Sequence, residues 1–300
     1  MTVIYLLLKM FMKVATLQFS MNKDFGRNVD RAERMVRNAA VTGANVIVLP
    51  ELFESRYFCQ TASPSFFAWA ETVEESFIVS KFSELAGELG VVIPIPFFEK
   101  KDNEYYNSCA VADADGKILD VYRKHHIPMG KCYEEKFYFS PGRDGYKVFD
   151  TKFGKIGVAI CWDQWFPEVA RALALAGAEL IVYPTAIGSE PEFPDGESYI
   201  HWMRAIQGHS AANGVPIAVA NRIGKEKKID FYGGSFITNN RGAVVRQIGG
   251  VPENGNADPS PVAIKGHATY EFDRVEYAIF RGFWGILRDR RPESYKSLCV

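Results

Sequence analysis

Three short stretches of this chain place a reactive side chain at the end of an apolar run. In the first, Val46-Ile47-Val48-Leu49-Pro50-Glu51 delivers a carboxylate directly behind a proline. In an apolar setting such a group can serve as a base near neutrality. A glutamate that steps into solvent or caps a helix would read the same way. In the second, Tyr122-Arg123-Lys124-His125-His126-Ile127-Pro128 puts a basic cluster behind the run Ile118 to Tyr122. Lys124 could be a fixed cation for a developing oxyanion, and a solvated basic turn is the plainer alternative. His125 and His126 point to opposite sides of an extended backbone, so they cannot both face one site. In the third, Gly157-Val158-Ala159-Ile160-Cys161-Trp162-Asp163 ends a strand in cysteine, and Pro167 marks a helix start nearby. A thiol between a strand end and a helix N-terminus can have a depressed pKa and be nucleophilic. A buried, inert cysteine is the common alternative for this residue type.

The elements that must position these groups follow from periodicity. Lys13 to Phe19 reads as a strand. Asn28 to Thr42 carries Val29, Ala32, Met35, Val36, Ala39 and Ala40 at helical spacing and stops at Gly43. Val46 to Leu49 suits a strand buried on both faces. Ile78, Phe82, Leu85, Ala86 and Leu89 mark a second helix, and Val91 to Ile93 begin a third strand. Hairpins are predicted at 108–122, around Asp113-Ala114-Asp115-Gly116, at 146–160, and at 235–248. Between them, helices at 168–176 and 199–213 alternate with strands at 180–183 and 216–220. The stretch 249–266 is rich in Gly, Pro and Asn and reads as a loop, followed by a strand at 269–272. Such alternation implies an α/β fold with a mixed sheet covered by helices, without deciding between one sheet and two.

Composition narrows the classes further. The 300 residues are 47% hydrophobic and 14% aromatic, too apolar for a disordered or collagenous chain. A net charge of −1 gives no support to a dedicated nucleic-acid binder. The five cysteines are odd in number, irregularly spaced and free of CxxC pairs, which suits a reducing, cytoplasmic setting rather than a disulfide framework. The histidines form no zinc-binding motif. No run approaches the roughly 20 apolar residues of a membrane span. The stretch Val3 to Leu8 lacks a basic leader and a cleavage site, and Met12 stands just before a good strand. Residues 1–11 therefore read as an extension ahead of a single domain at 12–300, with an extra strand equally open.

Taken together, the three motifs carry a resemblance. Leu49-Pro50-Glu51-Leu52-Phe53, Tyr122-Arg123-Lys124 with His126-Ile127-Pro128, and Gly157 through Glu168 (GVAICWDQWFPE) resemble the nitrilase (carbon–nitrogen hydrolase) superfamily from Met12 onward. The nearer likeness is to hydrolases of carbamoylated diamines. It rests on Phe58-Cys59-Gln60, Tyr133 to Phe139, Tyr183 to Pro191, Asn221 to Gly224 and Trp284 to Pro292. The resemblance implies an αββα four-layer sandwich, and a homo-oligomer of paired sandwiches in which the carboxyl-terminal segment reaches over a partner. It maps a catalytic set onto Glu51, Lys124 and Cys161, with Glu135 as a second glutamate and Glu134 facing elsewhere. It implies a small-molecule substrate and neither metal nor cofactor. The substrate's distal ammonium would need a carboxylate or an aromatic face. Glu190 is the candidate, Glu192 and Asp195 are its rivals, and Trp162 and Tyr57 are expected to line the pocket. A hydrolase of carbamoylated acids would present arginine there instead, and a non-catalytic scaffold would show damaged catalytic positions. The resemblance is weaker at His125, where related sequences carry a smaller residue, and over 191–198 and 249–266.

Overall fold

The first strand shows how the layers arise. In β1 (Phe11–Gln18), Met12 and Val14 enter one apolar cluster while Ala15 and Leu17 enter another, so both faces of the strand are buried. The computed structural model describes residues 10–192, 198–250, 252–256, 258 and 262–299. After β1 come α1 (Phe25–Val41), β2 (Val46–Val48), α2 (Phe77–Leu89), the hairpin β3 (Ile93–Lys101) and β4 (Glu104–Ala112), and β5 (Ile118–Arg123). A single helical turn, α3 (Glu135–Tyr138), precedes β6 (Val148–Thr151) and β7 (Gly154–Val158). Next are α4 (Pro167–Leu175), β8 (Leu180–Pro184), α5 (Ser198–Asn213) and β9 (Ile217–Ala220). The chain continues through β10 (Ile223–Glu226), β11 (Ile229–Tyr232), β12 (Phe236–Thr238), β13 (Val244–Gln247), β14 (Gly266–Asp273) and α6 (Arg274–Trp284).

Two sheets result. The first runs β14-β1-β2 and continues to β3-β4-β5 through the Val46–Val92 bridge. The second runs β13-β12-β9-β8-β7-β6, with β7, β8 and β9 parallel. Val46, Val48, Val111 and Tyr122 of the first sheet pack with Val158, Val182 and Ala218 of the second. On its outer face the first sheet carries α1 and α2, through Val29, Val36, Phe82 and Leu85. Beyond the second sheet, α4 and α5 contribute Leu173, Trp202 and Ile206. The layers are thus the αββα sandwich of the nitrilase type.

Local chemistry accounts for the helix ends. Asp24 caps α1 by accepting from the Arg27 N–H at 3.0 Å, and α2 ends on Gly90 at φ +67°, a left-handed position suited to glycine. Three features depart from the sequence expectation. First, β1 begins at Phe11, which pairs with Asp273, so the strand takes in the last residue assigned to the extension, while residues 1–9 lie outside the described ones. Second, β3 holds Pro94 and Pro96, which argue against a strand from sequence. The two lie two residues apart, so both missing N–H groups fall on one side, and pairing with β4 continues through all nine residues. Third, α6 was not foreseen. Asp273 caps it, accepting from Val275 and Glu276, and none of its residues is buried, with Ile279, Phe283 and Trp284 standing exposed. No helix among the described residues is long and apolar enough to cross a membrane.

Candidate active site

Lys124 is the centre of a buried charge cluster built by two strand ends and the start of a helical turn. It follows β5, is fully buried, and donates from Nζ to Glu51 Oε1 at 2.9 Å and to Glu135 Oε2 at 2.6 Å. Glu51 follows β2 and Glu135 opens α3. Burial alone would lower the lysine's pKa, but the facing Glu135 and Glu51 carboxylates outweigh it and hold the ammonium well above the ordinary value. Burial raises Glu135, with Lys124 pulling the other way. Asn107, inside β4, donates from Nδ2 to Glu51 Oε1 at 2.6 Å, so that oxygen has two donors. The other, Oε2, is buried without a hydrogen-bond partner. Glu51 is held through its backbone as well. Arg222, buried just beyond β9, donates from Nη2 to the carbonyls of Glu51 at 2.6 Å and Leu52 at 2.9 Å. Leu52 sits at φ +46°, a conformation that a branched residue holds only when its surroundings enforce it.

Cys161 lies at a sharp turn between β7 and a five-residue 3-10 helix, Cys161–Trp165, at φ +42°. Asp163 shapes that turn. Its Oδ2 accepts from the Ile160 N–H at 3.0 Å and from the Tyr122 hydroxyl at 2.7 Å, and its Oδ1 accepts from the His126 N–H at 2.9 Å. His126 Nδ1 also lies 2.8 Å from Oδ1. One buried carboxylate thus ties the cysteine turn to the segment that carries Lys124. The sequence expectation of a lowered thiol pKa is corrected here. Burial, followed by the Glu51 charge, pushes the Cys161 thiol well above its usual value, although Lys124 acts in the opposite sense. A short 3-10 turn in a dry, carboxylate-facing site cannot deliver the helix-terminus effect assumed from sequence.

A cavity of about 110 Å³ opens beside the thiol, lined by Cys161, Glu135, Tyr133, Trp162, Trp165 and Glu190, among others. Trp162 and Glu190 thus share one cavity with the thiol, and burial raises the Glu190 carboxyl. Glu192 is exposed and not part of this lining, and Asp195 lies outside the described residues. Tyr57 departs from expectation: it does not line the thiol cavity, and its hydroxyl donates to Glu135 Oε1 at 2.6 Å. His125 stacks on Tyr122 and His126 on Phe166, so neither ring faces the thiol cavity. The larger cavity of the molecule, about 550 Å³, holds no Cys161, so reactive groups rather than size locate the chemistry. Asn107, Asp163 and Arg222 escaped the sequence reading. Asn107 lies inside β4, Asp163 in the 3-10 turn after β7 and Arg222 two residues beyond β9.

Comparison with known proteins places the chain in a family. The carbon-nitrogen hydrolase family matches residues 13–255. The chain is 49% identical to an N-carbamoylputrescine amidase of Arabidopsis thaliana, over 95% of this chain and 94% of that one. It is 46% identical to a citrullinase of Francisella tularensis, over 95% and 97%. A carbon-nitrogen hydrolase from Helicobacter pylori superposes with a TM-score of 0.86 at 34% identity, covering 97% of this chain and 99% of that one.

Proposed function

The chain belongs to the carbon–nitrogen hydrolase family, whose members cleave non-peptide carbon–nitrogen bonds, and from that premise we propose that it converts N-carbamoylputrescine to putrescine, ammonia and carbon dioxide, a step of polyamine synthesis, with Cys161 as nucleophile. A carbamoyl carbon is a poor electrophile because both nitrogens donate into the carbonyl, and a covalent intermediate divides the reaction into two easier steps. Glu51 takes the thiol proton on its unpartnered Oε2, which a thiol held protonated by burial requires. The sulfur attacks the carbamoyl carbon, and Lys124 with the Trp162 N–H stabilises the oxyanion, one such donor being worth about 3 kcal/mol. Glu51 returns its proton to the departing ammonia, leaving the carbamoyl group on sulfur. Water, deprotonated by Glu51, then releases the thiol and an N-carboxyamine, which loses carbon dioxide to give putrescine. Glu135 orients Lys124 throughout.

The observation that carries the substrate choice is Glu190, a carboxylate in the same cavity as the thiol. No lysine or arginine is among the described residues lining that cavity, which favours a cationic distal end over a carboxylate. A panel of N-carbamoylputrescine, citrulline and N-carbamoyl-β-alanine with ammonia detection tests the reading, with Cys161→Ser as the blank. Release from N-carbamoylputrescine well above the others is expected. Preference for N-carbamoyl-β-alanine or citrulline would reverse the assignment. The exposed Ile279, Phe283 and Trp284 of α6 support a homo-oligomer as the working state, and a monomeric sedimentation coefficient at micromolar concentration would count against it.

A further inference from the structure

The larger cavity has a chemistry of its own. At about 550 Å³ it falls within the range of small-molecule sites, roughly 300–1,000 Å³. Phe25, Phe58, Phe66, Trp69 and Phe97 supply aromatic walls, and Glu54 supplies a carboxylate. Glu54 is only 8% exposed, and its Oε2 is buried without a hydrogen-bond partner. Lys23, Arg56 and Lys227 also line the cavity, but none of them pairs with Glu54, and both lysines are exposed to solvent. A buried acceptor left unmatched costs free energy in the empty protein, and a native structure gives such a group a role. Aromatic faces beside an unmatched carboxylate are the recognition chemistry of an ammonium on an apolar body.

We propose that this cavity is a second ligand site, which takes a primary amine on an aromatic or aliphatic body through the Glu54 carboxylate, and that its occupancy tunes the thiol cavity. Burial pushes the Glu54 carboxyl up to about 7 against the opposing pull of the Arg222 charge, and an arriving ammonium would give the carboxylate a direct partner. The route to the thiol cavity is short. Tyr57 lines the second cavity while its hydroxyl holds Glu135. The Tyr57 N–H donates to Glu226 Oε2 at 2.7 Å, and Glu226 lines the same cavity. Glu226 Oε1 accepts from Arg222, which grips the Glu51 and Leu52 carbonyls. An occupant therefore touches Tyr57, which holds Glu135, and Glu226, which pairs with the arginine that grips the Glu51 backbone. The tuning rests on the amidase reading; the binding does not.

Calorimetric titration with tryptamine, its neutral analogue tryptophol and the acid indole-3-propionate tests the site on the intact chain. Saturable tryptamine binding is expected, weakened roughly tenfold by Glu54→Gln and unchanged by Glu190→Gln, with tryptophol weaker than tryptamine by a similar factor. No saturable binding, or equal binding of tryptophol, would overturn the proposal without recourse to a variant. Loss of binding in Glu190→Gln would overturn it too, because it would place the amine beside Cys161. Saturating tryptamine should also change ammonia release by at least about twofold in the unaltered protein and not in Glu54→Gln. Glu54-dependent binding that leaves turnover untouched removes the tuning. Absence of turnover on every carbamoylated substrate removes the amidase reading while the titration still decides the site.

Discussion

Replacing Tyr57 by phenylalanine deletes one oxygen from the buried cluster and keeps the ring that packs around it. The side chain is 1% exposed, so water cannot substitute for the hydroxyl. The lost contact is the 2.6 Å bond to Glu135 Oε1. A hydrogen bond to a charged group contributes about 1.5–3 kcal/mol, and ~1.4 kcal/mol corresponds to tenfold, so the loss amounts to roughly 10- to 150-fold. The direction is set by the surroundings. Burial already raises Glu135, while Lys124 and the Tyr57 hydroxyl hold it down. Without the hydroxyl the carboxyl rises further, becomes neutral at a higher pH, and releases its grip on Lys124. The acid limb of kcat/KM should therefore move to higher pH, with kcat reduced about tenfold or more near neutrality and KM little changed. A Tyr57 that instead formed a wall for the substrate would raise KM and leave kcat and the acid limb in place. Ammonia release from N-carbamoylputrescine, measured between about pH 5 and about pH 9, separates the two. An unmoved limb with a raised KM would refute the reasoning.

Four further outcomes follow from the same contacts. Glu54→Gln should gain stability relative to the unaltered protein as pH rises, because a carboxyl raised from 4.5 to about 7 on folding gives stability that is full below about 4.5 and lost by about 7. The gap between the two proteins in urea unfolding should shift by about 3 kcal/mol between about pH 4 and about pH 8, and a constant gap would contradict it. Inactivation by iodoacetamide should keep accelerating above about pH 8, because the Cys161 thiol is held high, whereas a plateau by about pH 7 would indicate a resting thiolate. Asp163→Asn replaces one oxygen that accepts two contacts with a donor, and should cost about 3–5 kcal/mol in urea unfolding while slowing turnover; a cost below about 1 kcal/mol would remove Asp163 from its anchoring role. Glu190→Gln should raise KM for N-carbamoylputrescine roughly 10- to 100-fold with kcat largely kept, and an unchanged KM would send the ammonium elsewhere.

Much of the frame was legible because burial leaves a periodic trace. Val29, Ala32, Met35, Val36 and Ala39 announced α1, and the unbroken run at Val46 announced a strand buried on both faces. A strand beginning at 91–93 was legible, whereas its run through Pro94 and Pro96 to Lys101 and its pairing with β4 were not. Within the site, Glu51, Lys124 and Cys161 were visible because each stands at the end of an apolar run. Asn107 and Arg222 were not, since their meaning lies in partners 56 and 171 residues away along the chain. Tyr57 was placed against the wrong cavity for the same reason: its hydroxyl meets Glu135 across 78 residues. The thiol's direction was misjudged because a strand-to-helix junction says nothing about how dry its environment will be.

The cluster is divided between the two sheets. Glu51, Asn107 and Lys124 belong to the strands of one, and Cys161, Glu190 and Arg222 follow strands of the other. In the proposed mechanism proton acceptor and sulfur therefore meet only at the seam, and neither leaf of the sandwich holds the whole set. Hydrolysis thus doubles as a gauge of how the leaves are seated: a slip between them silences the enzyme while every strand and helix is still formed.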